Sequence, residues 1–181
     1  IRKIKKLKPE SKIVVTGCAA QINPKNWSSM SEVNHVIGND EKINQKFWVN
    51  LSKRSEDKIV VSDIMLLKET SFHPNNNFID QTRSFIQIQN GCDHRCTFCI
   101  IPFGRGNSRS FPTEIIIKKI QQALKYNTQE IVLTGVDLTS WGKDFKEKKS
   151  LGFLLKTIFL LCPDLPRLRI SSIDPAEIDH E

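Results

Sequence analysis

SFIQIQNGCDHRCTFCIIPFGRG, residues 84–106, is the stretch on which the reading of this chain turns. Ser84 to Gln89 is predicted as a strand, and the loop that follows carries Cys92, Cys96 and Cys99 in the spacing C-x3-C-x2-C. Soft thiolates gathered on one short loop select zinc or an iron–sulfur cluster. A closed structural zinc site wants four ligands, and the local candidate for the fourth is His94, awkwardly placed inside the first spacing. On a cubane cluster, three thiolates leave one iron open to a small molecule, whereas an electron-transfer site normally supplies four. The vacancy favours a catalytic iron–sulfur site, with zinc as the alternative.

Downstream of the cysteine loop the pattern alternates helix and strand. A helix is predicted at Thr113–Tyr126, with Ile116, Ile120, Ala123 and Leu124 on one face as packing on a sheet requires. A strand follows at Glu130–Thr134, then a helix at Leu151–Leu161 and a strand at Arg167–Ser171. Two and a half βα units in a row begin a barrel or an open doubly wound sheet. Upstream, a basic amphipathic helix carries Ile1, Ile4 and Leu7 and is stopped by Pro9. Strands are predicted at Lys12–Thr16, Val33–Ile37 and Lys58–Val61, with a helix after Asn23-Pro24 and another from Gly38–Asp40 to about Arg54. The fold class is therefore α/β. Residues 1–62 form the end of a small parallel α/β domain, 63–81 a polar linker containing His73-Pro74 and Asn75–Asn77, and 82–181 the second domain.

The 181 residues carry 27 Lys+Arg against 20 Asp+Glu, a net charge of +7 that points to a polyanionic partner such as nucleic acid. With 39% apolar and 26% charged residues the composition is that of a soluble globular protein. No apolar run reaches the length of a membrane span and no secretory leader is evident, so no membrane partner and a cytoplasmic location are expected. Five cysteines, three of them in eight positions, make a poor disulfide framework and suit a reducing compartment. The start at an isoleucine is read as the start of an internal fragment.

The C-x3-C-x-aromatic-C pattern, with Phe98 before the last cysteine, resembles the signature of the radical S-adenosylmethionine enzymes. The words QNGCDHRCTFCIIPFGRGNSRS, LTGVDLTSWG and RLRISSIDP resemble one branch of them, the tRNA methylthiotransferases, with the MtaB-type group that acts on threonylcarbamoyladenosine as the nearest pattern. The resemblance implies the end of a methylthiotransferase N-terminal domain followed by the first half of a radical SAM partial (β/α) barrel. It implies a [4Fe–4S] cluster on Cys92, Cys96 and Cys99 that binds S-adenosylmethionine at its open iron. The implied reaction places sulfur and then a methyl group at C2 of N6-threonylcarbamoyladenosine beside the anticodon. The implied enzyme is a transferase whose present residues would be inactive on their own, with tRNA, an electron donor and a sulfur source as partners. Isopentenyladenosine tRNA or a ribosomal-protein aspartate are the alternative substrates. A non-catalytic iron–sulfur or zinc module that binds RNA is the alternative from another class.

By the same resemblance Gly135 lies where the backbone approaches the methionyl end of the cofactor, while Asp137 and the group Ser171, Ser172 and Asp174 lie at strand ends on the expected open face, where polar residues can reach a ligand. Each could equally serve a turn. VVTGC ending at Cys18 resembles the segment that supplies one ligand of a second [4Fe–4S] cluster, whose other ligands lie outside this chain. Read without the resemblance, Cys18 is a small buried hydrophobe, and Cys162 is read as structural. Arg83, Arg105 and Arg109, with Arg95 and the interleaved Phe98, Phe103 and Phe111, form a candidate RNA contact, because cations hold phosphate while aromatic rings stack an exposed base.

Overall fold

The computed structural model describes residues 1–50, 57–68, 82–178 and 180. They fall into two compact units. The first takes in Ile1–Leu67 and Arg95–Gly106, and the second takes in the stretch ending at His94 and Asn107–Glu181. The α/β class expected from the alternating pattern is the class observed.

In the first unit, strands β1 (Val14–Thr16), β2 (His35–Ile37) and β3 (Ile59–Val60) form a parallel sheet in that order. Val14 pairs with His35 and Val36 with Ile59. These β-branched residues suit a pleated surface covered on a face. Ala20, Val33 and Val36 are buried there, with Ile13, Val15, Trp27, Met30 and Val61 packed against them. Helix α1 (Arg2–Leu7) buries none of its residues, so its basic and apolar sides are both surface. Helix α2 (Cys18–Ile22) starts directly after Gly17, whose φ of 104° is in the left-handed region that favours glycine. Helix α3 (Pro24–Ser28) has proline in its first turn, where no N–H is required, and the Asn23 side chain accepts from the Asn26 N–H. A 3-10 turn at Glu41–Ile43 and helix α4 (Gln45–Asn50) stand where one helix from Gly38 was expected, and the remainder of that expectation, 51–56, lies outside the described residues. Helix α5 (Ile101–Arg105), just after the cysteines, completes this unit and packs on α2.

The second unit is built on β4 (Arg83–Gln87), β7 (Glu130–Thr134) and β8 (Leu168–Ile170), a parallel sheet in the order β4-β7-β8. Between them in sequence, β5 (Gln89–Asn90) and β6 (Arg109–Ser110) form a two-residue antiparallel ladder. Helix α6 (Thr113–Lys125) follows β6 and helix α7 (Leu151–Leu161) follows β7. Ile116 and Ile120 of α6, Leu154 and Ile158 of α7, and Ile86, Ile131 and Leu133 of the strands are all buried. Burying each such side chain contributes about 1.5–3 kcal/mol. Because β4, β7 and β8 are parallel, their C-terminal ends lie on one edge of the sheet, and the segments leaving them, including Cys92, Asp137 and Glu177, share it. At the opposite edge, the carboxylate of Glu130 is held by Arg83 at 3.0 Å, Arg169 at 2.7 Å and Arg167 at 3.5 Å.

Of the expected linker 63–81, residues 69–81 lie outside the described residues. Within it, residues Ile64–Leu66 form a 3-10 turn in which Ile64 is buried and Leu66 exposed.

Candidate functional site

Three backbone segments meet at the C-terminal edge of the second unit's sheet, and a fully buried glutamine organises them. Gln89, 0% exposed, accepts the N–H groups of Val136 and Asp137 at 2.9 Å each on its Oε1. Its Nε2 donates to the Gly91 carbonyl at 2.7 Å and to Ser108 Oγ at 2.9 Å. One side chain thus ties the start of the cysteine loop to the turn after β7 and to the segment leading into β6. A buried amide with every position used is rigid, since each unmade bond would cost a desolvation penalty. Sequence reasoning did not single out Gln89, because a glutamine in a short strand gives no local signal of burial.

Gly135 lies against this amide. A Cβ there would stand 2.7 Å from Leu138 Cδ2 and 3.0 Å from Gln89 Oε1, so the glycine is required by close packing inside the protein itself. Asp137 follows, its carboxylate accepting hydroxyl hydrogen bonds from Thr139 at 3.0 Å and Ser140 at 2.5 Å. Asp137 Oδ2 also lies 4.0 Å from Cys92 Sγ. His94 Nε2 is 3.4 Å from Asp137 and 3.0 Å from Glu177, and Glu177 in turn meets Lys143 at 3.2 Å and the Thr139 hydroxyl at 2.9 Å. The Thr139 hydrogen bond, with Lys143 and His94 adding to it against the opposing effect of burial, holds the Glu177 carboxyl below the usual carboxylate range. His94 is therefore engaged with carboxylates, and this is where the side chain considered as a fourth metal ligand is found.

The other sequence candidates are dispersed. Asp174 accepts from the Ala176 N–H at 3.0 Å and caps the turn Pro175–Glu177, which is the turn-serving alternative, while Ser172 is exposed. Cys162 is buried, and burial pushes its thiol up from the ordinary value, in keeping with a structural role. Arg109 is 4% exposed within β6, a correction to its placement on an RNA-facing surface: the short ladder with β5 draws it inside. Arg83 opens β4, at the end of the strand away from the cysteine loop, and is paired to Glu130.

None of Cys92, Cys96 and Cys99 is in a disulfide, and Cys96 is exposed. The Cys99 N–H donates to the Cys96 carbonyl at 3.0 Å, a tight turn within which Phe98 is 91% exposed. In the first unit, Cys18 Sγ receives Arg105 Nε at 3.2 Å and Asn39 Nδ2 at 3.6 Å. Asn39 Nδ2 also donates to the Gly104 carbonyl at 2.6 Å, and its Oδ1 accepts from Lys42 Nζ at 2.6 Å. Burial, then the neighbouring Arg105, lowers the Lys42 ammonium from its usual range. A Cβ at Gly104 would meet Cys18 Cβ at 2.9 Å, so Cys18 and α5 fit one another closely. Arg105 is thus directed at a sulfur, which no local pattern announces.

Residues 86–174 match the family described as the Radical SAM superfamily. Among curated proteins, the threonylcarbamoyladenosine tRNA methylthiotransferase MtaB of Rickettsia prowazekii is 48% identical over all 181 residues, which make up 42% of that protein. The MtaB of Aquifex aeolicus is 33% identical over 182 aligned positions, again the whole of this chain and 44% of the relative. The chain therefore spans less than half the length of these relatives. Among solved structures, the radical S-adenosylmethionine methyltransferase TsrM of Kitasatospora setae, determined with cobalamin and a [4Fe-4S] cluster, superposes with a TM-score of 0.56. That match covers 92% of this chain and 38% of the other at 14% identity, a likeness of fold. With the cysteine loop leaving the first strand of a parallel βα sheet, residues 86–174 of this chain match the radical SAM superfamily, and the whole sequence is similar to the methylthiotransferases it aligns with.

Proposed function

We propose that this chain is part of a tRNA methylthiotransferase that uses S-adenosylmethionine radical chemistry to place sulfur and then a methyl group at C2 of N6-threonylcarbamoyladenosine, next to the tRNA anticodon. The observation that supports this reading is the alignment of the whole chain, at 48% identity, with a relative named as a threonylcarbamoyladenosine tRNA methylthiotransferase. Cys92, Cys96 and Cys99 would hold the [4Fe–4S] cluster. The donor set fits: three thiols outside any disulfide, on one short loop. Bound there with S-adenosylmethionine, the cluster supplies the one-electron chemistry needed to attack an inert adenine carbon.

The protein's part is positioning. Gln89 fixes the backbone that presents Cys92 relative to the Gly135–Asp137 turn, and Gly135, Asp137, Ser172 and Asp174 would contribute to holding S-adenosylmethionine. Phe98, exposed beside the last cysteine, offers a face on which an adenine ring can stack. Cys18 would contribute one ligand to a second [4Fe–4S] cluster completed by residues outside this chain, and the N–H groups of Arg105 and Asn39 on its sulfur suit a thiolate ligand. The tRNA, an electron donor and a sulfur source would be the partners, and the cytoplasm the location. No helix among the described residues is long and apolar enough to cross a membrane.

Anaerobic reconstitution with iron and sulfide tests the first half of this reading. The chain is expected to take up iron and acid-labile sulfide, and Cys92→Ala, Cys96→Ala or Cys99→Ala to abolish uptake at that loop. Zinc uptake in place of iron would overturn it. In the intact enzyme, the same substitutions should abolish both cofactor cleavage and appearance of the methylthio group in tRNA.

A further inference from the structure

His94 stands between two of the candidate ligands in sequence, yet its ring is committed elsewhere. Nε2 is 3.0 Å from Glu177 Oε1 and 3.4 Å from Asp137 Oδ2. Ionised carboxylates only accept hydrogen bonds, so this nitrogen carries a proton and donates to the pair. Glu177 follows β8 and Asp137 follows β7, while His94 is two residues past Cys92 on the segment that leaves β4 and β5. The imidazole is therefore a bridge across the ends of all three strands of the parallel sheet. The Thr139 hydroxyl lies 3.0 Å from Asp137 Oδ1 and 2.9 Å from Glu177 Oε2, so its single proton serves the two carboxylates between them, with Ser140 donating to Asp137 and Lys143 to Glu177.

Asp137 is also the carboxylate 4.0 Å from Cys92 Sγ. A thiolate there would face like charge, and the oxygen in question, Oδ2, is the one that His94 and Ser140 also approach. We propose that His94 is a positioning residue for the cysteine loop: by bridging Asp137 and Glu177 it holds the Asp137 carboxylate occupied beside Cys92 and fixes the direction from which that sulfur meets its metal. The inference rests on the reading that Cys92, Cys96 and Cys99 bind an iron–sulfur cluster. Hydrogen-bond partners one step removed from a metal orient its ligands, and their loss typically costs about 10- to 100-fold in metal retention or activity.

The test uses the whole chain, reconstituted anaerobically, in four forms: unsubstituted, His94→Ala, His94→Gln and Glu177→Gln. His94 is about half exposed, with 47% of its side chain accessible, so His94→Ala should leave thermal unfolding and the far-ultraviolet circular dichroism close to those of the parent. It should lose its cluster to an iron chelator about tenfold faster and alter the electron paramagnetic resonance spectrum of the reduced cluster. Glu177→Gln removes one arm of the bridge and should move both readouts in the same direction by less. His94→Gln places an amide N–H near the position of Nε2 and should restore both. Parent-like chelator kinetics and spectrum in His94→Ala would overturn the proposal, as would equal defects in the Ala and Gln variants. A parent chain that takes up no iron at all would overturn the underlying cluster reading, and this proposal with it.

Discussion

Gly135→Ala would drive a methyl group to within 2.7 Å of Leu138 Cδ2 and 3.0 Å of the Gln89 amide oxygen. Leu138 is buried and Gln89 makes bonds with both ends of its amide, so neither can yield cheaply. The expected cost is about 1–3 kcal/mol, read as a lower midpoint in urea unfolding. Gln89→Ala should cost at least as much, because it strips partners from the Val136 and Asp137 N–H groups and the Gly91 carbonyl, at about 1–3 kcal/mol for a buried group left unsatisfied. At this scale the sequence was partly transparent. Gly135 stood out through the family resemblance, since a glycine after a strand is otherwise ordinary punctuation, and the cysteines because their spacing is chemically meaningful. Gln89, Arg105 and His94 take their roles from partners 19 to 87 positions away in sequence, as with Ser108, Glu177 and Cys18, and no local pattern encodes such pairings.

The strands and helices with enough residues to show a period were legible in advance: α6, α7 and β7 fall where the apolar pattern put them. The two-residue β5–β6 ladder and the one-turn α5 were not, since two to five residues cannot display a repeat. The same shortness hid the fact that 95–106 packs with the first unit, a contact made by fitting Gly104 to Cys18. β7 illustrates what an element's terminus can hold. Glu130, its first residue, gathers arginines from β4 and β8 and from the residue before β8, and the Arg169 hydrogen bond above all lowers its carboxyl from the ordinary value. A lowered folded-state value means this stabilisation is complete above the unfolded carboxylate range, about 4.3, and fades as the pH falls through the lower folded value. Glu130→Gln should therefore lower the melting temperature at pH 7 and shrink the difference from the parent below about pH 4. Equal gaps at both pH values would count against the ion cluster as the cause.

Across the whole chain, the surplus of seven positive charges is the property that bears on a tRNA partner. Binding driven by phosphate contacts weakens linearly in log–log form with salt, because neutralising phosphates releases bound counterions. Filter binding or fluorescence anisotropy with unmodified tRNA should show such a slope, and a flat response would remove the electrostatic argument for RNA. Arg109, buried in β6, should contribute nothing to that slope, whereas the exposed cations of α1 are free to do so.

The parallel sheet of the second unit carries one last implication. Among the described residues β8 pairs only with β7, leaving its other side lined with backbone donors and acceptors, near the exposed Phe159 and Ile178 that line one hollow with Ile170. A strand satisfied on one side is a template on the other. Concentrated solutions of this chain should accordingly self-associate through that margin, and light scattering should fall when a charge replaces Phe159.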